Sequence, residues 1–334
     1  MNKKSLVIGL ALSLVLIFGS ILGAAAAKPS GEPSATLLVS GLETATGAGS
    51  TIGPGGALYV TEGEAGTILR VDPRTGEVTT FFSGLPQAII PIGGVMDVAF
   101  VDGTAYALVT LVGSDLGGSD KVGIYRLDSP TSYTVIADIG EFNLNNPPST
   151  AFDVPSGVQY AMQAYRDGFL VTDGHLNRML RVTLDGVISV QMAFDNIVPT
   201  GLDVRGNTIF MAEAGPVPHA PETGRVVAFG PKSTSATEVA SGASLLVDVE
   251  FGRGSTLYAL SQGEFSGGPA GAPALPDTGS LVKVNGDGSF SVILDDLDRP
   301  TSVEFIKNSA YVVTLGGEIW RIDDVSGPPY RVSH

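Results

Sequence analysis

Two aspartates hold equivalent positions in short strands that open repeated units of the chain. When these strands are aligned on the residue that closes each one, Asp97 and Asp248 fall at the same place. Carboxylates that converge in a partly dehydrated site repel each other, which raises one pKa or recruits a cation. Hard oxygen ligands favour Ca²⁺. The pair therefore predicts a site for a divalent cation or a cationic ligand group, with the alternative that each aspartate caps loop N–H groups within its own unit.

Two further carboxylates, Asp173 and Glu213, end the second strand of their units. These strand ends are expected on the same face of the fold as Asp97 and Asp248. We therefore expect Asp173 and Glu213 to contribute to the cation from the rim. The alternative is that they accept N–H bonds from their own turns and hold those turns in place.

The sequence lacks the usual nucleophiles and cofactor loops. It contains no cysteine, which excludes thiol catalysis, disulfides and cysteine-based zinc sites. No G-x-S-x-G turn, P-loop or G-x-G-x-x-G motif occurs. His175 and His219 fall in corresponding loops of neighbouring units, where they could converge, although isolated histidines more often lie in solvated loops. The chemistry predicted is therefore not covalent serine or cysteine catalysis.

The charge and the first residues indicate where the protein acts. A formal net charge of −15 argues against binding to nucleic acid or to an anionic membrane. A basic start, an apolar run over Leu6–Gly23 and the small residues Ala24–Ala27 are typical of a signal peptide cleaved after Ala27. An uncleaved membrane anchor is the alternative, because the apolar run is nearly long enough to span a bilayer. We expect a secreted protein, extracellular or periplasmic.

A strand quartet recurs along the rest of the chain, and helical periodicity is absent there. Each quartet has an approach strand, an apolar–aromatic strand, a basic strand and, in most units, an outer strand. The apolar–aromatic strands are anchored on six residues: Tyr59, Tyr106, Leu170, Phe210, Tyr258 and Tyr311. Six units of four strands predict an all-β fold, a single six-bladed β-propeller of four-stranded blades.

The ends of the repeat predict how the ring closes. The sixth unit stops near Asp324 without an outer strand, and Thr36–Leu42 resembles the outer strand of the first unit. The N-terminal strand is therefore expected to close the ring, with Tyr330–Val332 as the rival segment. The predicted organisation is a signal peptide (1–27), a linker (28–35), the propeller (36–324) and a C-terminal tail (325–334).

Several blade motifs resemble the ScyD/ScyE family of exported bacterial propellers. They are Pro73–Val78, Pro199–Leu202, Ala212–Pro218 and Gly279–Val284. More distantly, the chain is similar to NHL-repeat and gluconolactonase-type propellers. The resemblance implies an exported six-bladed scaffold, and it brings no catalytic residue set to this sequence.

Four long loops are expected on the face where the approach strands begin. They are Leu111–Lys121, Gly140–Pro155, Gly215–Thr223 and Gln262–Thr278. Long loops on a rigid scaffold are where function concentrates. We expect a non-enzymatic binding or scaffold protein that takes an unknown ligand or protein on this face. The alternative is a metal-dependent hydrolase or lactonase, and a quinone-dependent sugar dehydrogenase is a third class that propellers host.

Overall fold

The computed structural model describes residues 32–150 and 153–326. The predicted signal peptide and the segment Tyr330–Val332 lie outside the described residues. Within those residues, no helix has both the length and the apolar character needed to cross a bilayer.

The described residues form six four-stranded sheets, and in each sheet strands that follow one another in the chain pair antiparallel. Blade 1 contains β2 (Ser50–Ile52), β3 (Leu58–Glu62), β4 (Thr67–Val71) and β5 (Val78–Ser83). Blade 2 contains β6 (Gly94–Val101), β7 (Thr104–Thr110), β8 (Gly123–Ser129) and β9 (Ser132–Asp138). Blade 3 contains β10 (Gln159–Tyr165), β11 (Gly168–Asp173), β12 (Arg178–Thr183) and β13 (Ile188–Ala193).

The other three blades repeat this plan. Blade 4 contains β14 (Pro199–Arg205), β15 (Thr208–Glu213), β16 (Arg225–Phe229) and β17 (Thr237–Ser241). Blade 5 contains β18 (Leu246–Phe251), β19 (Leu257–Ser261), β20 (Gly279–Val284) and β21 (Phe290–Leu297). Blade 6 contains β22 (Pro300–Ile306), β23 (Ser309–Thr314), β24 (Ile319–Asp323) and β1 (Ser34–Val39). The predicted six-bladed propeller is confirmed.

The N-terminal strand closes the ring, as predicted. β1 pairs with β24 in antiparallel register, from Ser34 opposite Asp323 to Val39 opposite Ile319. The pairing joins the two ends of the described chain in one sheet, and β1 covers the edge that β24 would otherwise expose. β1 begins at Ser34.

A separate hydrophobic core lies at each of the six contacts between neighbouring blades. Between blades 1 and 2, Tyr59 packs against Phe100 with ring centroids 4.7 Å apart. Between blades 5 and 6, Tyr258 packs against Phe305 at 4.7 Å. The anchor strands are covered on both faces, and all five residues of β3 and of β19 are buried. The outer strand β5 is more open to water, because Val78, Thr79 and Thr80 are exposed and only Phe82 of its six residues is buried.

One short helix, α1 (Ile139–Asn145), was not expected from the sequence. Asp138 caps it, because its carboxylate accepts the N–H of Glu141 at 2.9 Å. An acidic cap followed three residues later by glutamate resembles a capping box, and this pattern is the sequence signal for the start of α1.

Candidate functional site

The axis of the ring holds a narrow cavity of about 40 Å³. It lies among β2, β6, β10, β14, β18 and β22, the first strand of each blade. Asp97 of blade 2 and Asp248 of blade 5 both line it, from blades that are three apart in the ring. The two aspartates singled out from the sequence are thus brought to one cavity. Asp173 and Glu213 do not line it.

Each of these two aspartates ties its blade to the next one. Asp97 Oδ1 accepts the N–H of Val98 at 2.8 Å, and Oδ2 accepts the N–H of Met162 in blade 3 at 2.7 Å. Asp248 accepts in the same way from Val249 at 2.9 Å and from Val303 in blade 6 at 2.8 Å. The N–H groups belong to strands rather than to loops, and half of them belong to the neighbouring blade. This differs from the alternative in which each aspartate caps loop N–H groups within its own blade.

Glycine in the preceding blade makes room for each carboxylate. A methyl group on Gly201 would come within 2.2 Å of Asp248 Oδ1, and one on Gly49 within 2.4 Å of Asp97 Oδ1. These contacts are too short for any other residue. Asp97 and Asp248 therefore each lie beside a glycine of the preceding blade.

A second set of carboxylates lies two residues further along the first strands of blades 4, 5 and 6. Asp203, Glu250 and Glu304 lie opposite the anchors Phe210, Tyr258 and Tyr311 of their own blades. Glu250 and Glu304 line the axial cavity. Asp203 accepts N–H bonds from Val204 at 2.6 Å and from Phe251 of blade 5 at 3.0 Å. Three consecutive blades thus carry a carboxylate at this level.

These three carboxylates were not expected from the sequence, although their positions carry a signal. They immediately precede Val204, Phe251 and Phe305, the residues on which the approach strands were aligned. The corresponding residue in blade 2 is Ala99. The same alignment, read two residues further along, therefore shows carboxylates in blades 4, 5 and 6.

Burial raises the pKa of every axial carboxylate. It raises the pKa of Asp97 to about 7, against the lowering effect of its two N–H bonds. It raises the pKa of Asp248 to about 8, with repulsion from Asp97 and Asp203 as a smaller cause. The pKa values of Glu250 and Glu304 are also raised, first by burial and then by the neighbouring carboxylates.

The fit of these residues to a resident metal ion is poor. Within residues 32–150 and 153–326, no three His, Cys, Asp or Glu side chains are grouped so that they could hold one. Both oxygens of Asp97 and both oxygens of Asp248 already accept backbone N–H bonds. A cation in the axial cavity would have to share those oxygens or bind Glu250 and Glu304 as well.

Asp173 is the centre of a buried network between β11 and the segment before β10. Its two oxygens accept the N–H groups of Val158 at 3.1 Å and Leu176 at 2.9 Å, and the side-chain amides of Asn143 at 2.8 Å and Gln159 at 3.0 Å. Burial raises the pKa of Asp173, and these bonds and the charge of Arg178 oppose the rise. The geometry matches the turn-holding alternative.

Glu213 lies opposite Arg225 in the pairing of β15 with β16. Its side chain is buried, which raises its pKa to about 7, while the charge of Arg225 lowers it. Neither Glu213 nor Asp173 lines the cleft described next.

A second cavity, of about 190 Å³, opens on the long-loop face above blades 3, 4 and 5. We call it the mouth cleft. Its walls are mainly apolar, with Val158, Val198, Ala214, Val217, Leu245, Val247 and Ala270 among them. Two of the four long loops build it: Gly215–Thr223 supplies Val217 and His219, and Gln262–Thr278 supplies Gln262 and Ala270. The other two predicted loops contribute to a separate cavity of about 260 Å³ beside α1.

His175 and His219 both line the mouth cleft. His219 is 6% exposed, its ring packs on Phe265 at 5.4 Å, and its Nδ1 lies 3.2 Å from the carbonyl oxygen of Ala214. His175 Nε2 accepts the N–H of Val154 at 3.2 Å. The two histidines therefore converge, and His219 does not lie in a solvated loop.

Tyr160 separates the mouth cleft from the axial cavity. Tyr160 and Val247 line both spaces. Burial raises the pKa of Tyr160, and the charges of Asp248 and Asp97 raise it further. The hydroxyl group thus lies within the field of the axial carboxylates, and the ring forms part of the cleft wall.

Comparison with known proteins supports the fold and leaves the family open. No family model matches the chain, and no curated protein matches it. The structure of a gluconolactonase from Xanthomonas campestris is similar, with a TM-score of 0.59 and 13% identity over 86% of this chain and 89% of that one. A PQQ-bound aldose sugar dehydrogenase from Streptomyces coelicolor gives a TM-score of 0.58 and 16% identity over 89% and 99%. Virginiamycin B lyase from Staphylococcus aureus gives 0.51 and 14% over 87% and 99%. The chain is a six-bladed β-propeller with gluconolactonase-like structural neighbours, and at these identities the likeness concerns the fold alone.

Proposed function

We propose that this protein is an exported propeller of the ScyD/ScyE type that binds a ligand with an apolar body in the mouth cleft. The observation that carries the proposal is the cleft itself, an apolar space at the end of the axis on the long-loop face. Ligand sites in proteins are mostly apolar concavities with a few polar groups that fix orientation. Here those polar groups are Tyr160, His175, His219 and Gln262.

Two sequence features support the remaining parts of this proposal. The pattern of residues 1–27 supports export, which N-terminal sequencing of the secreted chain would test by finding Lys28 first. The motifs that resemble the ScyD/ScyE family fall on blade strands and turns, including the whole of β20. They support a scaffold of that type rather than an activity.

The cleft is tested by filling it. Ala270 is an exposed residue of the cleft wall, so Ala270→Trp should occupy the space without disturbing a core. Ala193→Trp, on the exposed side of the outer strand β13, is the matched control. The probe is 1-naphthylmethanol, an uncharged two-ring alcohol, titrated by calorimetry. We expect Ala270→Trp to weaken its binding by about tenfold or more, a loss of about 1.4 kcal/mol. Absence of binding to the wild type, or equal binding to both variants, would overturn the proposal.

A second candidate function is a metal-dependent hydrolase or lactonase, and a specific observation favours it. Asp97 and Asp248 line one axial cavity that has no lysine or arginine among its lining residues, and burial raises the pKa of both carboxyls. Ca²⁺ is the cation that their hard oxygens would prefer. Calcium titration of the wild type, Asp97→Asn and Asp248→Asn tests this, followed by a lactone and ester screen with and without chelator. A calcium-dependent shift in melting temperature that both variants lose, together with chelator-sensitive turnover, would support the hydrolase.

A further inference from the structure

The mouth cleft and the axial cavity adjoin through Tyr160 and Val247, which line both. We propose that the ligand of the mouth cleft is an amphiphilic amine, whose apolar body fills the cleft and whose ammonium group points past Tyr160 toward the axial carboxylates. This inference rests on the proposed function, because it names the chemical class of the ligand for the same cleft.

The cleft accounts for the apolar half of such a ligand. A protein cavity of roughly 150 Å³ lined by apolar side chains holds a benzene ring. The mouth cleft measures about 190 Å³ and is open to solvent on one side. It therefore suits a body of one or two rings.

The axis accounts for the charged half. Asp97, Asp248, Glu250 and Glu304 line the axial cavity, and none of the residues lining either cavity is a lysine or an arginine. His175 and His219 are the remaining titratable groups besides Tyr160 that line the cleft. Carboxyl groups without a cationic partner in such a site release their protons when a positive group binds beside them, and they disfavour an anion.

Tyr160 adds an aromatic ring at the boundary between the two cavities. An ammonium near the face of an aromatic ring is attracted by the ring quadrupole. The same ring belongs to the apolar wall of the cleft. One residue thus contacts both halves of the proposed ligand, which a bare metal ion would not require.

The experiment uses three probes with the same two-ring body and different charge. They are 1-naphthylmethylammonium, 1-naphthylmethanol and 1-naphthoate, each titrated by calorimetry at pH 7. We expect the ammonium to bind about tenfold or more tightly than the alcohol, and the carboxylate to bind most weakly.

Two variants test whether the axial carboxyls cause the preference for the ammonium over the alcohol. Asp248→Asn and Glu304→Gln each remove a carboxyl group that would ionise beside the bound ammonium, and both should reduce the preference for the ammonium over the alcohol to about threefold or less. Asp295→Asn, on the exposed outer strand β21, is the control and should keep the full preference. Glu304 is included because, within the described residues, its carboxyl accepts no backbone N–H bond, whereas Asp248 accepts two, so its change leaves the blade contacts intact.

The outcomes separate the two proposals. If the three probes bind equally and Ala270→Trp weakens them all, the cleft is a ligand site and the amine inference is wrong. If the preference survives in both axial variants, the inference is also wrong. If no probe binds, the proposed function itself fails.

Discussion

At the residue scale, Asp173 illustrates how a buried carboxylate can hold a fold without taking part in a site. Its oxygens satisfy two backbone N–H groups and two side-chain amides, and Gly157 packs so closely that a methyl group there would come within 2.1 Å of Asp173 Oδ2. The network joins β11 to the segment that follows α1. Its role is to fix the loops on the long-loop face.

We predict that Asp173→Ala lowers the free energy of unfolding by about 3 kcal/mol, because several buried donors lose their acceptor. The dissociation constant of 1-naphthylmethanol should rise as well, because Val158 and His175 line the mouth cleft and lie in the two segments that Asp173 holds. Chemical denaturation and calorimetry on the same preparation measure both quantities. A variant of wild-type stability would contradict the network.

The axial carboxylates predict how stability depends on pH. Burial and the charges of Asp248, Asp203 and Asp97 raise the pKa of Glu304, so the folded state binds this proton more tightly than the unfolded chain does. Such a group stabilises the fold fully below its unfolded pKa, near 4.3, and the stabilisation is lost as the pH rises through the raised folded value.

We therefore predict that the wild type loses stability between about pH 5 and pH 8.5, and that Glu304→Gln loses less over the same range. Glu77→Gln, an exposed change, should follow the wild type. Melting temperature against pH for the three proteins is the measurement. Coincident curves for the wild type and Glu304→Gln would show that Glu304 is not a buried acid.

At the element scale, β1 is the strand that joins the beginning of the described chain to its end. Five residue pairs link it to β24, and Val39 contributes to the core between blades 6 and 1. Without β1, blade 6 would have three strands and β24 would present an open edge.

We predict that deleting Ser34–Val39 destabilises the whole ring rather than trimming a tail. The deletion removes the inter-strand bonds to β24 and uncovers part of the core that Val39 shares with Tyr311. Removing residues 28–33 instead is the control, because that segment precedes the strand. If the chain without Ser34–Val39 melts cooperatively at the temperature of the full chain, the pairing of β1 with β24 does not stabilise the ring.

At the scale of the whole molecule, the six cores form a continuous ring in which every blade packs on two others. The single tryptophan of the sequence, Trp320, lies on β24 opposite Leu37 of β1. Its fluorescence therefore reports on the closing blade, whereas the far-ultraviolet circular dichroism reports on all six.

We predict that the two signals change together in denaturant for the intact chain, because coincident transitions are the mark of one cooperative unit. In the chain without Ser34–Val39, tryptophan fluorescence should change at a lower denaturant concentration than the dichroism does. Separate transitions in the intact chain would mean that the closing blade opens independently of the other five.

The sequence by itself determined the blade count, the strand quartet and the closing strand. These features depend on local alternation and on a repeated order, which a single chain displays directly. Six anchors mark the six blades: Tyr59, Tyr106, Leu170, Phe210, Tyr258 and Tyr311. It also placed Asp97 and Asp248 at one level of the ring, because equivalent positions in a radial repeat face a common axis.

Only the tertiary structure decided what those residues contact. The N–H groups that hold Asp97 and Asp248 come from the next blade as well as from their own, and no local pattern reports a bond to Met162 or Val303. The mouth cleft likewise joins loops far apart in sequence, so that His175, His219 and Ala270 meet on one surface. Radial packing brings these segments together, and the distances across the axis depend on how all six blades close.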